Sequence, residues 1–353
     1  MNLKEDLIKH FDPNGPGIQG NLFGLPYTPE TSELIVIPVP WEVTVSYHTG
    51  TAAGPTAVLD ASSQVDVLVK DIPDAWKLGI SLAKIPDGLY AESKHLRELS
   101  AQHIRRMEKG EPVLPADPLV NKINEASESL NIYVKSAVQR YLREGKMVGL
   151  LGGDHSTPLG FMRALGEQYT RFGILQIDAH ADLRKAYEGF TYSHASIMYN
   201  AMKIPAVSRL VQVGIRDLCE EELHVMQRSK GRIRTFFDDD LKAKRYEGET
   251  WASQCDRIID ELPEHVYISF DIDGLDPKLC PNTGTPVAGG LEFQEAVYLI
   301  RKLALSGKTI IGFDLSEVAP GTNDWDANVG ARMLYQLCNY MAVSQSKLRM
   351  ATQ

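Results

Sequence analysis

Short apolar runs alternate with helix-like stretches along most of the chain, and this alternation constrains the fold more than any other feature. Continuous apolar runs are typical of strands buried on both faces, and a strand followed by a helix, repeated many times, predicts a mostly parallel sheet. Helices should then cover both faces of that sheet. The runs predicted as strands are LIVIPVP (34–40), MVGLL (147–151), FGILQID (172–178), RLVQVGI (209–215), RIRTFF (232–237), HVYISFDID (265–273) and KTIIGFDL (308–315).

The length of 353 residues suits either one large α/β domain or two ordinary ones. Internal repeats and low-complexity linkers are absent, so we predict a single domain over residues 1–353. Residues 75–120 interrupt the alternation with a helix-like stretch, SKHLRELSAQHIRRMEKG, and a proline-rich one, EPVLPADP. We predict that this segment is an insertion between two early elements.

The charge of the chain argues against some partners. A formal net charge of −9 argues against nucleic acid or an anionic membrane. No stretch approaches the roughly 20 apolar residues of a membrane helix, and the N-terminus MNLKEDLIKHFDPNG lacks the apolar segment of a signal peptide. Four cysteines without CxxC spacing suggest a reducing compartment, so a cytoplasmic protein is predicted.

Ionisable residues follow several predicted strands at the point where each strand ends. Ligands of open parallel sheets bind at the carboxyl ends of strands. FGILQI runs into DAHAD, MVGLL into GGDHS, and VYISF into DIDGLDP. Alternate residues of an extended segment share a face, so Asp178, His180 and Asp182 should converge.

Four carboxylates at one sheet edge would repel one another without cations. A single aspartate at a strand end is more often a helix cap, but a set of six groups is different. Two divalent ions, each with one histidine and shared carboxylates, would neutralise the set, and mixed oxygen and nitrogen ligation suits Mn²⁺. The predicted ligands are His155, Asp178, His180, Asp182, Asp271 and Asp273.

These motifs resemble the ureohydrolase family of agmatinases and arginases. The resemblance rests on GGDHS, DAHAD, YEGFTYSHAS (187–196), SFDIDGLDP, NTGTPVAGG (282–290) and DLSEVAP, and VSYHTGTAAGP (45–55) resembles an agmatinase N-terminal segment. It runs from about Ile35 to the C-terminal helix. The resemblance implies a three-layer α/β/α fold with a central, mostly parallel sheet of about eight strands. It also implies a homo-oligomer, a trimer or hexamer.

The resemblance further implies a binuclear manganese centre held by the six ligands, with Ni²⁺ or Co²⁺ as other candidate metals. His194 is implied as a proton-transfer group and Glu317 as the partner of the substrate guanidinium. Asp182 is counted with these catalytic groups as well as with the ligands, and Thr285 corresponds to a position beside the site. The chemistry of the residues agrees, since a planar, permanently charged guanidinium suits a carboxylate, and an imidazole can give a departing amine its proton. The predicted reaction releases urea and an amine.

The sequence constrains the tail of the substrate less than its guanidinium head. Animal arginases follow the metal aspartate with Ile-Asn, whereas Leu183 and Arg184 follow Asp182 here. DLR and YEG resemble microbial agmatinases, although YSHAS also resembles plant-type arginases. Agmatine, hydrolysed to putrescine, is therefore the first prediction, and arginine or another guanidino acid is the alternative. Arg184 would suit a substrate carboxylate or a structural ion pair. Two departures from the family pattern, Cys280-Pro281-Asn282 and Trp325-Asp326 in a predicted loop, are expected to reshape the tail pocket.

A catalytically silent homologue that acts as a binding partner is the remaining alternative. A deacetylase on a related fold needs one zinc ion and has no use for the second acid of DID, and a phosphatase needs a phosphate cradle that this sequence lacks. The metal content of the purified protein separates the silent homologue from the enzyme.

Overall fold

The computed structural model describes residues 3–112 and 117–351. Its eight strands form one sheet in the order β2-β1-β3-β8-β7-β4-β5-β6, and every neighbouring pair is parallel. The predicted parallel sheet of about eight strands is therefore confirmed. The strands are β1 Leu34–Val39, β2 Ile80–Leu82, β3 Met147–Gly152, β4 Phe172–Ile177, β5 Val207–Ile215, β6 Ile233–Phe237, β7 His265–Asp271 and β8 Thr309–Ser316.

Eleven α-helices connect or flank these strands within the described residues. None of them combines the length and the apolar character that crossing a bilayer requires. The helices are α1 Leu3–His10, α2 Gly54–Ser62, α3 Leu89–Glu108, α4 Pro118–Arg143, α5 Leu159–Gln168, α6 Ile197–Ala201, α7 Glu220–Arg228, α8 Asp238–Tyr246, α9 Trp251–Asp260, α10 Phe293–Leu305 and α11 Trp325–Ser344.

The sheet separates two hydrophobic cores, because alternate residues of a strand point to opposite faces. In β1, Leu34 and Val36 pack into the core that contains buried residues of α2, α10 and α11. Ile35 and Ile37 pack into the other core, with α4 and α5. The chain thus has the predicted three-layer α/β/α arrangement, and burial on both faces explains the continuous apolar runs.

Three elements of the structure, β2, α8 and α1, are not among those predicted from the sequence. Strand β2 has only three residues, and it lies at one edge of the sheet within segment 75–120. Helix α8 buries only Asp238 and Leu241, so it shows no apolar stripe. Helix α1 is short, and its Leu7 and Ile8 are only partly buried against the core. Segment 75–120 therefore contains an edge strand as well as α3, and its description as an insertion stays a prediction.

The loops that carry the predicted site residues follow the four central strands of the sheet. Strands β3, β8, β7 and β4 are consecutive neighbours in the sheet, although they are third, eighth, seventh and fourth along the chain. Their carboxyl ends therefore lie side by side. This is the edge at which the predicted ligands follow their strands.

Candidate metal centre

Two groups of three side chains at this sheet edge could each hold a metal ion. The first is His155, Asp178 and Asp271, and the second is Asp178, His180 and Asp273. Within each group the potential ligand atoms all lie within 4.8 Å of one another. Asp178 belongs to both groups, so the geometry is that of two adjacent sites, each with one histidine, joined by a shared carboxylate.

The orientation of the His155 ring shows that the first group fits a cation. Ser269 Oγ donates to Asp314 Oδ1 at 2.8 Å, so it accepts from His155 Nε2 at 2.9 Å. The proton of a neutral ring is then on Nε2, and Nδ1 is left with a lone pair. This Nδ1 is buried and has no hydrogen-bond partner among the described residues. A metal-binding imidazole usually donates the N–H of its other ring nitrogen to a fixed acceptor, and that hydrogen bond sets its tautomer.

The Nδ1 atom of His155 faces three carboxylates. It lies 3.0 Å from Asp178 Oδ2, 3.0 Å from Asp182 Oδ2 and 3.2 Å from Asp271 Oδ2. A lone pair and three carboxylates repel one another unless positive charge lies among them. A proton on Nδ1 would supply one charge, whereas a divalent ion supplies two and bonds to all four groups. The residues present therefore fit a metal ion.

The second group has the same character. His180 Nδ1 lies 3.1 Å from Asp273 Oδ2, and that buried oxygen likewise lacks a hydrogen-bond partner in the part of the chain that the structure describes. Asp273 Oδ1 accepts from Ala179 N at 3.1 Å, which fixes the carboxylate between the loops after β4 and β7. The side chain of His180 is 22% exposed, so the second group lies nearer to solvent than the first.

Burial and mutual repulsion perturb the carboxylates of the site. Burial, followed by the charge of Asp178, raises the pKa of Asp182 to about 7. Burial, followed by the charge of Asp273, raises the pKa of Asp271 well above its ordinary value. Burial alone would also raise the pKa of Asp178, but the neighbouring His155 and His180 lower it. The site therefore favours added positive charge.

The DAHAD segment converges by a different route from the one predicted. Strand β4 ends at Ile177, and Asp182 has a left-handed backbone with φ 55°. Asp178 and Asp182 both reach His155, whereas His180 pairs with Asp273 on the other side. The three groups do meet at one site. They do so because the chain bends after β4, and they do not lie on one face of an extended strand.

Five of the ten predicted site residues line one open pocket above the two groups. His194 is the one suited to proton transfer, and its Nε2 lies 3.3 Å from Ser46 Oγ. Burial, then the neighbouring His180 and His155, lower the pKa of His194 to about 3, so the ring is neutral at pH 7. The five residues are His180, Asp182, Arg184, His194 and Thr285.

Glu317 is held where β8 ends, with 3% of its surface exposed. Its Oε1 accepts from His155 N at 2.7 Å and lies 4.0 Å from His194 Nδ1. A Cβ on Gly284 would come within 2.9 Å of Oε2, so a larger residue there would displace this carboxylate. Burial, then the charge of Asp154, raises the pKa of Glu317 well above its ordinary value. A bound cation beside this carboxylate would offset that cost.

Arg184 has structural partners at the pocket wall. Its Nε lies 3.8 Å from Glu222 Oε2, and its guanidinium carbon lies 4.7 Å from the centre of the Tyr187 ring. Glu222 is buried, and it accepts from Leu183 N and Cys219 N, both at 2.9 Å. Glu222 thereby connects the residue after Asp182 to the start of α7.

Arg216 is a site residue that motif reasoning did not identify. Its guanidinium nitrogens make five contacts of 2.7–3.2 Å with carbonyl oxygens of Gly214, Asp273, Leu275 and Val287, and Nη2 shares its two hydrogens among three of these contacts. It therefore connects the loop after β5 to the loop after β7 and to the segment that carries Thr285. The only sequence signal is an arginine directly after the β5 run, and nothing in its spacing points to this role.

The two departures from the family pattern contact each other and do not line the pocket. Asp326 accepts from the backbone and side-chain nitrogens of Asn282, both at 2.9 Å. Trp325 begins α11, so the predicted loop at this position is wrong, and its Nε1 donates to Lys278 O at 3.0 Å. The expected effect of these residues on the tail pocket is therefore not seen among the pocket-lining residues.

Comparison with known proteins identifies the family. The model of the Arginase family matches residues 32–340. The chain belongs to the arginase family. An N(1)-aminopropylagmatine ureohydrolase of Thermus thermophilus is 33% identical over 317 residues, which cover 89% of this chain and 92% of that protein. An agmatinase of Halalkalibacterium halodurans is 29% identical over 292 residues, covering 82% and 85%.

A solved structure shares the fold. The agmatine ureohydrolase of Thermoplasma volcanium superposes with a TM-score of 0.71 at 22% identity, covering 97% of this chain and 99% of that one. The predicted ureohydrolase resemblance is confirmed, and the chain is a hydrolase of this family. Arginase-family enzymes depend on a binuclear metal centre, and the two groups that share Asp178 are candidate ligands for one.

Proposed function

We propose that this chain is a binuclear-manganese agmatinase, which hydrolyses agmatine to urea and putrescine. The observation that carries the proposal is the pair of ligand groups joined by Asp178, directly below a pocket that contains His194 and adjoins Glu317. All of the groups needed to bind and cleave a guanidinium are thus within one small region. A silent homologue would not need to keep this set together.

The proposed metal ligands are divided between the two sites. His155, Asp182 and Asp271 would hold one ion, His180 and Asp273 the other, and Asp178 both. An oxygen-rich set with one imidazole at each site favours Mn²⁺, with Ni²⁺ or Co²⁺ as alternatives. When bound, such a pair supplies a nucleophile from water at neutral pH and Lewis acidity.

Glu317 would orient the substrate. Its Oε2 faces Gly284 and is free of the hydrogen bond that engages Oε1, so it is available to the guanidinium. A carboxylate in a buried site gives a strong charge-assisted hydrogen bond to this group. The planar head of the substrate would then lie between Glu317 and the ligand groups.

His194 would move the proton. Because its ring is neutral at pH 7, it must first accept the proton that the attacking water gives up. It then donates this proton to the departing amine nitrogen, which would otherwise be a poor leaving group. Ser46 holds the ring at Nε2 during both steps.

A longer cationic substrate, N(1)-aminopropylagmatine, is the second candidate. It is favoured by the relative in Thermus thermophilus and by an exposed carboxylate, Asp217, at the pocket wall. Arginine and 4-guanidinobutyrate end in a carboxylate, which would have to use Arg184. Because Glu222 and Tyr187 already engage Arg184, we rank these acids below the two amines.

The test is urea release by manganese-loaded protein from these four guanidines. We expect agmatine or N(1)-aminopropylagmatine to have the highest kcat/KM, about tenfold above the acids, which corresponds to about 1.4 kcal/mol. No urea from any guanidine, with two equivalents of metal bound, would contradict the proposed function.

The remaining proposals concern the whole chain. We propose one domain over residues 1–353 with an insertion at 75–120, a cytoplasmic location, and a trimer or hexamer. Light scattering coupled to size exclusion measures the last of these directly.

A further inference from the structure

Helix α3 carries a polar face that is buried. Ser93, Arg97, Ser100 and His103 recur at helical spacing and therefore share one side of the helix. Ser93 and Ser100 are fully buried, and His103 is 1% exposed. We call these four residues the α3 polar face. Buried polar groups need partners, and those of this face lie in two loops of the candidate site.

The first partner is the segment after β1. Glu42 N donates to Ser93 Oγ at 3.0 Å, and Ser100 Oγ donates to Val43 O. Arg97 donates to Ser100 Oγ at 3.2 Å, which orients the serine hydroxyl. Two consecutive residues of the segment are thus hydrogen-bonded to α3.

Glu42 closes the loop that follows it. Its Oε2 accepts from Gly50 N at 2.6 Å and from Ala52 N at 3.1 Å. Residues 43–49 therefore form a loop whose two ends are both attached to Glu42. Since Ser93 holds Glu42 N, the position of the whole loop depends on α3.

This loop holds His194. Thr44 Oγ1 accepts from His194 N at 3.3 Å, and Ser46 Oγ contacts His194 Nε2 at 3.3 Å. The loop thus supplies a contact to the backbone of His194 and another to its ring. A shift of the loop would move the ring relative to Glu317, which lies 4.0 Å from Nδ1.

His103 reaches the second loop. Its Nε2 donates to Glu188 O at 2.9 Å, six residues before His194. Glu188 has a left-handed backbone, with φ 53°, which a non-glycine residue adopts only when its surroundings hold it. The α3 polar face therefore contacts both segments that determine where His194 lies.

We propose that the α3 polar face positions His194 for proton transfer, with Ser93, Ser100 and His103 as positioning residues. The proposal rests on the proposed function, in which His194 delivers a proton to the leaving amine. It gives segment 75–120 a role in the reaction, although none of the segment's described residues (75–112 and 117–120) lines the pocket.

The test uses the double variant Ser93→Ala/Ser100→Ala in the full-length, manganese-loaded protein. We expect kcat for urea release from agmatine to fall about tenfold, since small displacements of a catalytic group have effects of this order or larger. KM should stay within about twofold and the metal content should not change. Ser136→Ala is the matched control and should leave kcat unchanged, because within residues 3–112 and 117–351 its exposed hydroxyl bonds only to Ile132 O of the same helix, α4.

The same double variant in a His194→Ala background separates positioning from general stability. If α3 acts through His194, the two serine changes cause no further fall in kcat there. An equal fall in both backgrounds would overturn the proposal in favour of a purely structural role.

Hydrogen exchange tests the contact without any assay of activity. We expect amides of residues 42–50 to exchange at least about tenfold faster in the double variant, while those of β3 and β4 are unchanged. Unchanged exchange in residues 42–50 would overturn the proposal. Absence of urea release by the wild-type protein would instead contradict the proposed function, and the exchange result would still decide the role of α3.

Discussion

Replacing Glu317 by Gln removes the charge expected to face the guanidinium and changes little else. The side-chain oxygen of Gln can still accept from His155 N, as Glu317 Oε1 does at 2.7 Å. The amide NH₂ then occupies the position of Oε2 next to Gly284, where it presents donors to a guanidinium that has only donors. The substrate loses its acceptor and meets a repulsive group.

The size of the expected fall in kcat/KM follows from the burial of this carboxylate. Glu317 is 3% exposed, and removing one partner of a buried, hydrogen-bonded charge pair costs about 2–5 kcal/mol. A middle value of about 3 kcal/mol corresponds to a fall of roughly 140-fold in kcat/KM. Most of this fall should appear as a higher KM, because the ion pair between Glu317 and the guanidinium is present in the bound substrate as well as in the transition state.

The assay is steady-state urea release together with metal analysis of the same preparation. Glu317 is in neither ligand group, so both metal equivalents should remain. Glu167→Gln, on the exposed surface, is the matched control and should behave as wild type. An unchanged kcat/KM would refute the reasoning, since it would mean that Glu317 does not act as a carboxylate. Loss of metal would show instead that Glu317 is a ligand.

Three further predictions concern the surroundings of the site. Asp273→Asn should cost at least one metal equivalent and lower kcat at least about 100-fold, and full activity with two metals bound would disprove its role as a ligand. Arg216→Lys puts one ammonium with at most three donors in place of a guanidinium that reaches four carbonyls, so it should lower the free energy of unfolding by about 2 kcal/mol. Arg232→Lys, which loses contacts to two carbonyls at an exposed position, is the control in thermal melts. Arg184→Ala should leave agmatine turnover within about threefold of wild type, because Glu222 is its partner in the free site. A selective loss of activity on arginine or 4-guanidinobutyrate would show that Arg184 binds a carboxylate.

The types of groups at the candidate site are predictable because they directly follow recognisable strands. His155, Asp178 and Asp271 follow or end apolar runs that are long and buried on both faces. Such runs give a clear signal, and the rule that ligands lie at strand carboxyl ends then selects the residues after them. The conformation of those residues is less predictable, as the left-handed Asp182 shows.

Residues that hold the site in place have no comparable signal. Ser93, Glu222 and Arg216 act through hydrogen bonds to backbone atoms that are 39–71 residues away in the chain. A hydrogen bond to a distant carbonyl or amide leaves no periodic pattern in the sequence. The same is true of α8, which buries only Asp238 and Leu241 and packs against β5 and β6 without an apolar stripe.

Sequence alone establishes a parallel α/β fold, because strands buried on both faces must be apolar throughout and each needs a helix to return. It also establishes the supply of four carboxylates and two imidazoles. It does not establish that Asp178 is shared by two sites, nor that His155 faces three carboxylates. Those facts depend on the sheet order β3-β8-β7-β4, which joins strands up to about 160 residues apart through backbone hydrogen bonds that any sequence can make. The packing of helices on the two faces selects that order, and only the folded chain contains this information.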